Sequence, residues 1–423
     1  MPRVVWWAAN AVKAPEKQRG KQDVGLLGLR GPDLLRGLTL DAQASDRLRA
    51  AMASFDPNAA ARADSGLFGL DDSADAARVV IIPVPFDATT SYHHGTAQGP
   101  AAILRASHQV DLYDVDTGRP YAAGIHMLPL PPSVQAWNAS AGQAAARATA
   151  EAEDSPAVPG TEDESAGDRA AAMDAVNQAS RAVERYVAER TRSLLAQGKL
   201  VGVLGGDHSV PLGSIVAHAN HFPGMGILHI DAHADLRVAY QGFTQSHASI
   251  MHNVLAAVPT LARLVQVGIR DLCEAEAEHI AAKKDTIRTF FDSELAAAKH
   301  AGTPWLRVCE QIVAELPAQV YVSFDIDGLD PALCPHTGTP VPGGLSFAEL
   351  VTLLRALVQS GRRIVGFDLC EVAPAPPLPR RRSATHEAAH EPPDEWDACV
   401  GARVLYKLIG FALQSQPADV PPG

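Results

Sequence analysis

The stretch Gly226-Ile-Leu-His-Ile-Asp-Ala-His-Ala-Asp235 joins a short apolar run to three polar side chains that alternate with alanine. On an extended backbone, side chains two positions apart point to the same face. The spacing therefore predicts that Asp231, His233 and Asp235 converge at the end of a strand. Carboxylate and imidazole groups in this arrangement are able to bind a metal ion.

Similar apolar runs recur along the chain and alternate with patterns typical of helices. This alternation predicts an α/β fold in three α/β/α layers, with a mostly parallel central sheet covered by helices on both faces. Besides 226–230, the predicted strands are residues 79–84, 200–204, 264–267, 320–324 and 364–369.

The composition predicts an N-terminal extension at residues 1–76, packed on a catalytic body at 77–415, with an amphipathic pattern near residues 40–54. Residues 140–168 are rich in Ala, Glu, Asp, Ser and Gly and have no aromatic residue, which predicts a solvated, flexible insertion before a long helix at 173–198. Residues 374–396 are rich in Pro and Arg and precede a final helix at 400–413. This stretch is long enough for a lid or an interface loop.

The charge and cysteine content exclude several classes of protein. A net charge of −12 argues against a nucleic-acid surface and suits an enzyme that attracts cationic substrates. The five cysteines are widely spaced and lack a Cys-x-x-Cys pair, so the sequence indicates neither a disulfide framework nor a zinc knuckle. No apolar run approaches the roughly 18 residues that span a bilayer, and no convincing signal peptide is present. We therefore expect a soluble cytoplasmic protein without membrane partners.

Two further motifs follow predicted strands. Gly205-Gly-Asp-His-Ser209 places His208 after one strand, and Ser323-Phe-Asp-Ile-Asp-Gly-Leu-Asp330 places Asp325 and Asp327 after another. Ligands of open parallel sheets bind beyond the carboxyl ends of the strands, so the three motifs are expected to face one crevice. A lone Asp-x-Asp is most often a turn or a cap, but burying six such groups without a metal would be costly. Four carboxylates and two imidazoles balance two divalent cations, with Mn(II) first and Ni, Co, Fe or Zn as alternatives.

These three motifs resemble the signatures of the ureohydrolase family, which includes arginases, agmatinases, formimidoylglutamases and guanidinobutyrases. The resemblance runs from about residue 79 to 413, and the segments 83–95 and 371–374 resemble the family's substrate-side entry segment and last active-site strand. It implies an arginase-like fold and a centre of two divalent ions, Mn²⁺ or Ni²⁺. One ion would be bound by His208, Asp231, Asp235 and Asp325, and the other by Asp231, His233, Asp325 and Asp327.

The same resemblance implies a reaction. A hydroxide between the two ions would attack the guanidino carbon and release urea and an amine. Asp235 would orient this nucleophile, and His247 would act as general acid with a pKa near neutrality. Glu371 would pair with the guanidinium. His93 and His94 are candidates for the entrance to the substrate site. Family members are usually trimers or hexamers, which implies a homotrimer or a homohexamer.

The match is nearer to agmatinase-like members than to arginases, because residues 236–247 lack the Asn and Ser-Gly-Asn pattern that arginases carry. The expected substrate is a small cationic guanidino compound other than arginine. His93 and His94 stand where agmatinases commonly carry Arg-Pro, which leaves the substrate open, and residues 394–403 resemble the tail of longer members of which some act on free guanidine. Free guanidine and formimidoylglutamate are therefore the alternative substrates. Two other interpretations are a deacetylase-type amidohydrolase and a non-catalytic metal-binding regulatory subunit. Six ligands rather than three argue against the first, and their being intact argues against the second.

Overall fold

The structure, a computed structural model, describes residues 55–154, 164–375 and 395–417. Its centre is one sheet whose strands are β1 (Val79–Val84), β2 (Ile125–Met127), β3 (Leu200–Gly205), β4 (Gly226–Ile230), β5 (Arg263–Ile269), β6 (Ile287–Phe291), β7 (Gln319–Phe324) and β8 (Arg363–Leu369). The strand order is β2-β1-β3-β8-β7-β4-β5-β6, and every pairing is parallel. All carboxyl ends therefore lie along one edge.

Helices cover both faces of this sheet. The described helices are α1 (Gly99–Ser107), α2 (Pro132–Asp154), α3 (Glu164–Ala196), α4 (Leu212–His221), α5 (Ile250–Ala257), α6 (Glu274–Ala282), α7 (Asp292–His300), α8 (Trp305–Ala314), α9 (Phe347–Gln359) and α10 (Trp396–Gln414). Val79 and Ile81 of β1 belong to one apolar core, shared with α1 and α7 to α10, whereas Val80 and Ile82 belong to the core shared with α2 and α3. This period-two division gives three layers, and the predicted α/β/α fold is confirmed.

All six predicted strands are present, each to within two residues at either end. The sequence did not predict β2 and β6, which occupy the two edges of the sheet. β2 has only three residues, and β6 places the exposed Arg288 in the middle of an Ile-Arg-Thr-Phe-Phe run. Edge strands are covered on fewer sides, so they need less continuous apolar sequence than central strands.

Within the predicted solvated insertion at residues 140–168, the structure describes helical residues up to 154 and from 164 onward, and residues 155–163 lie outside the described part of the chain. Helix α2 extends to Asp154, and α3 begins at Glu164, before the predicted start at residue 173. Ala144 and Ala148 of α2 form a small buried cluster with Val176 of α3 and with Phe243. Alanine has the highest helix propensity and loses no side-chain entropy on burial. The Ala-rich composition was therefore the signature of a closely packed helix pair.

Residues 57–76, which the sequence assigned to an N-terminal extension packed on the catalytic body, pack with the rest of the described chain. Leu67 and Phe68 are buried in the main core, and the ring of Phe68 lies 4.7 Å from that of Tyr406 on α10. Residues from Pro57 onward therefore belong to one compact unit. The pattern near residues 40–54 and most of the loop at 374–396 lie outside the described residues. Among the helices that the structure describes, none is both long enough and apolar enough to cross a membrane.

Candidate metal centre

Four adjacent strands bring the predicted ligands to one place. β3, β8, β7 and β4 are neighbours in the sheet. His208, Glu371, Asp325 and Asp231 follow these four strands in that order. Parallel strands end at the same edge, so residues that are far apart in sequence meet in one crevice. The six predicted metal ligands lie there, and five of them are almost completely buried, whereas the side chain of His233 is 23% exposed.

His208 lies at the centre of the first group of ligands. Its Nδ1 is 3.0 Å from Asp231 Oδ2, 3.2 Å from Asp235 Oδ2 and 3.4 Å from Asp325 Oδ2. Its other nitrogen, Nε2, is 3.0 Å from the hydroxyl of Ser323. A proton on Nε2 leaves the lone pair of Nδ1 directed at the three carboxylates. This is the orientation in which an imidazole binds a metal.

His233 lies at the centre of the second group. Its Nδ1 is 3.0 Å from Asp327 Oδ2 and 3.5 Å from Asp231 Oδ1. Asp231 thus directs one oxygen to each histidine, as expected of the predicted shared ligand. Asp325 Oδ1 accepts a hydrogen bond from the backbone N–H of Asp327, which connects the two groups a second time.

The chemistry of this donor set fits two divalent ions. Burial and the neighbouring charge of Asp231 raise the pKa of Asp235 to about 6, and burial together with Asp327 raises the pKa of Asp325 well above its ordinary value. For His208, burial favours a lower pKa, but hydrogen bonds to Asp231 and Asp235 outweigh it and raise the pKa. The buried carboxylates therefore require positive charge, as protons or as metal ions, and oxygen with imidazole nitrogen suits Mn(II), Ni(II) or Zn(II).

Two of the site residues have a strained backbone. Asp235 and Glu371 adopt φ values of 55° and 62°, in the left-handed region that non-glycine residues rarely occupy. The carbonyl oxygen of Asp235 accepts hydrogen bonds from two backbone N–H groups of α5, and the carbonyl oxygen of Glu371 accepts one from the Thr337 hydroxyl. Such strain costs about 1–3 kcal/mol and is typical of functional sites.

His247 lies beside the predicted ligands in a half-buried position. Its backbone N–H donates to Thr89 Oγ1 at 3.1 Å, its Nε2 is 3.3 Å from Ser91 Oγ, and its buried Nδ1 has no hydrogen-bond partner. Burial and the nearby His233 lower the pKa of His247 to about 4. The sequence predicted a pKa near neutrality. The structure differs because partial burial of the ring and the nearby His233 disfavour a second proton, so His247 is neutral at pH 7.

Glu371 has one oxygen engaged and one unpaired. Oε1 accepts a hydrogen bond from the backbone N–H of His208 at 2.9 Å, while the buried Oε2 has no hydrogen-bond partner. Burial and the neighbouring Asp207 raise the pKa of Glu371 well above its ordinary value. An unpaired oxygen on a buried carboxylate is a position that a cationic group would satisfy.

A cavity of about 340 Å³ opens onto this centre. His233, Asp235 and His247 line it, together with Ser91, Tyr92, Arg237, Tyr240, Ala248, Asp271, Leu272, Glu276, Thr339, Pro340 and Val341. The structure does not bring His93 and His94 into this lining. Both are exposed, and His93 stacks on Tyr92 with the ring centres 4.0 Å apart. Tyr92 and Ser91 occupy the position at the cavity that the sequence assigned to the two histidines.

Several residues of this site were not predicted from the sequence. His229 is completely buried, and its Nε2 is 2.8 Å from Asp231 Oδ2. The period-two spacing that found His233 and Asp235 also reaches back from Asp231 to His229, so a signal was present. Arg237, Asp271 and Tyr240 of the cavity wall had no sequence signal, because loops bring them to the cavity.

Comparisons with known proteins place the chain in a family. A model of the arginase family matches residues 77–391. An N(1)-aminopropylagmatine ureohydrolase of Thermus thermophilus is 34% identical over 311 residues, which cover 73% of this chain and 87% of the relative. The enzyme of that name from Synechocystis is 30% identical over 81% of this chain and 91% of its own.

Solved structures show the same fold. The agmatine ureohydrolase of Thermoplasma volcanium has a TM-score of 0.58 at 22% identity and covers 87% of this chain and 98% of its own. Proclavaminate amidino hydrolase from Streptomyces clavuligerus has a TM-score of 0.55 at 23% identity, over 80% and 93% of the two chains. The sequence match over most of the chain confirms the resemblance drawn from the three motifs: the chain belongs to the arginase family and is a ureohydrolase.

Proposed function

We propose that the protein hydrolyses the guanidino group of a small cationic substrate other than arginine, such as agmatine or N(1)-aminopropylagmatine, with two divalent metal ions. The observation that carries the proposal is the position of Asp231 between His208 and His233 at one end of a cavity. The names of the relatives support this substrate class.

The residues that would hold the metal ions divide into two sets that share two carboxylates. His208, Asp231, Asp235 and Asp325 would hold one ion, and Asp231, His233, Asp325 and Asp327 the other. Mn(II) is the expected metal, and Ni(II) is the alternative. When bound, such ions lower the pKa of water towards about 7 and so supply a nucleophile at neutral pH.

Glu371 would orient the guanidinium. Its Oε1 is fixed by the backbone N–H of His208, so its unpaired Oε2 is held beside the ligand groups. A guanidinium group presents N–H donors in a planar fork and forms strong hydrogen bonds with a carboxylate. The arrival of this cation would favour the charged form of Glu371 and compensate the burial that raises its pKa.

His247 would carry the proton between reacting groups. It is neutral at pH 7, lines the cavity with Asp235, and has an unpaired Nδ1. A neutral imidazole accepts a proton on one side of the reaction and returns it to the leaving nitrogen. The contact of Nε2 with Ser91 Oγ would orient the ring, and the bond from the backbone N–H to Thr89 Oγ1 anchors the segment that carries it.

The cavity wall would bind the substrate tail. Asp271 is exposed and lines the cavity, which allows it to face a distal ammonium group. Glu276 also lines the cavity, but both of its oxygens already accept backbone hydrogen bonds, from Leu236 and Cys273. A volume of about 340 Å³ lies within the range of small-molecule sites.

One observation favours a second candidate substrate. The guanidinium of Arg237 lies in the cavity wall, stacked 4.8 Å from the ring centre of Tyr240. A cation in this place would suit a guanidino acid such as 4-guanidinobutyrate. The Nε of Arg237 is 3.6 Å from Glu276 Oε2, so part of the positive charge of Arg237 is already compensated. We therefore rank the cationic substrates first.

The experiment is the specificity constant kcat/KM for urea release by the Mn(II)- or Ni(II)-loaded protein. The panel is agmatine, N(1)-aminopropylagmatine, 4-guanidinobutyrate, arginine and free guanidine, with formimidoylglutamate scored by formamide. If the substrate has a cationic tail, Asp271→Asn should raise its KM. If the substrate is the guanidino acid, Arg237→Met should raise its KM instead. Preferred hydrolysis of arginine would refute the substrate proposal, and no turnover from a protein that holds two metals would refute the reaction.

Light scattering tests the expected trimer or hexamer.

A further inference from the structure

A chain of buried hydrogen bonds crosses three neighbouring strands and ends at Asp231. Thr289 of β6, Gln266 of β5 and His229 of β4 face one another as direct partners in the sheet. The Thr289 hydroxyl donates to Gln266 Oε1 at 2.9 Å, Gln266 Nε2 lies 3.1 Å from His229 Nδ1, and His229 Nε2 lies 2.8 Å from Asp231 Oδ2. All three side chains are almost completely buried.

Gln266 fixes the direction of this chain. Its Nε2 also donates to the carbonyl oxygen of Ala234 at 2.7 Å. A carbonyl oxygen only accepts hydrogen bonds, so the amide nitrogen must face it, and the amide oxygen must face the Thr289 hydroxyl. The second hydrogen of the amide nitrogen then points to His229 Nδ1, which accepts it. The proton of the neutral His229 ring is consequently on Nε2, where it donates to Asp231.

The chain determines how the Asp231 carboxylate is oriented. Asp231 Oδ1 accepts a hydrogen bond from the backbone N–H of His233 at 2.6 Å, and Oδ2 accepts one from His229. With one donor on each oxygen, the carboxylate plane is held so that Oδ2 faces His208 and Oδ1 faces His233. A buried network of polar groups costs less free energy when every group has a hydrogen-bond partner, and such a network makes the site rigid.

We propose that Thr289, Gln266 and His229 are positioning residues, which hold Asp231 in the orientation that binds both metal ions. The inference rests on the proposed role of Asp231 as shared ligand. In this account His229 is not itself a ligand, because its Nδ1 is engaged by Gln266 and its Nε2 carries the proton. Partners that orient a metal ligand typically contribute 10- to 100-fold to metal affinity.

The test compares Mn(II) binding to the metal-free full-length protein by calorimetry. His229→Leu is expected to bind Mn(II) 10- to 100-fold more weakly, and His229→Gln, whose amide restores a donor to Asp231, is expected to recover part of that loss. His218→Leu is the matched control. His218 is equally buried but donates from Nδ1 to Ser214, away from the ligands, so its replacement should leave Mn(II) affinity unchanged.

Thr289→Val keeps the shape of the outermost link and removes only its hydroxyl, so it remains informative if His229→Leu does not fold. It should weaken Mn(II) binding several-fold. Wild-type affinity in His229→Leu or in Thr289→Val would overturn the proposal. Loss of one whole ion in His229→Leu, without recovery in His229→Gln, would also overturn it by making His229 a ligand. A wild-type protein that binds fewer than two ions would instead refute the proposed function.

Discussion

Replacement of Gly338 by alanine tests how Glu371 binds the guanidinium. A Cβ on Gly338 would lie 2.8 Å from Glu371 Oε2, closer than real Cβ contacts, and 3.5 Å from Cγ2 of Thr90. Glu371 cannot simply move away, because its Oε1 accepts the His208 N–H and its backbone is already strained. The added methyl group therefore covers the oxygen that is proposed to meet the substrate.

The expected loss follows from the hydrogen bond that is blocked. A hydrogen bond to a charged group contributes about 1.5–3 kcal/mol. Converted to a rate ratio, this is a fall in kcat/KM of about 10- to 150-fold. Metal content should remain at two ions per chain, since neither Gly338 nor Glu371 belongs to the proposed ligand set.

The assay is urea release at substrate concentrations below KM, with metal content measured on the same samples. Gly142→Ala is the matched control. It makes the same change in helix α2, where an added Cβ meets no atom within 4 Å, so kcat/KM should not change. A Gly338→Ala protein with full metal content and kcat/KM within twofold of wild type would refute this role of Glu371.

Three further predictions concern His218, His247 and Phe243. Burial lowers the pKa of His218 to about 4 from 6.5, so the unfolded chain binds its proton first as pH falls. Urea denaturation should therefore show wild type losing about 2 kcal/mol more than His218→Leu between pH 7 and pH 5, and equal losses would contradict the assignment. His247→Ala should keep both metal ions in elemental analysis but lose roughly 10²- to 10⁴-fold in kcat. An unchanged kcat would show that His247 transfers no proton in the reaction. Phe243→Ala should lower the free energy of unfolding by about 3–5 kcal/mol, and an unchanged melting temperature would contradict its packing against α2 and α3.

The sequence predicts the centre of the fold well because central parallel strands are buried on both faces. Their continuous apolar runs identified β1, β3, β4, β5, β7 and β8, and the polar residues directly after those strands are the predicted ligands, which the structure brings together. The edge strand β6 was not predicted, because Arg288 interrupts its apolar run. Helix α2 was not predicted, because its face in the small buried cluster is made of alanine. Composition alone does not distinguish such a helix from a solvated segment.

The site was predictable only where a local pattern carried it. Asp231, His233 and Asp235 share one strand end, so their spacing revealed them. Gln266 and Thr289 reach Asp231 through His229 by pairing across strands, and no local spacing encodes that contact. The pKa of His247 also depends on enclosure by distant segments, which is why its ordinary value was the wrong expectation.

We propose a ureohydrolase reaction at a centre of two metal ions, with Asp231 shared between them. The most direct measurement is the rate of urea release from agmatine as the metal-free protein is titrated with Mn(II). The rate should rise until two equivalents of Mn(II) per chain are bound and then reach a plateau. A plateau at one equivalent, or urea release that does not depend on added metal, would contradict it.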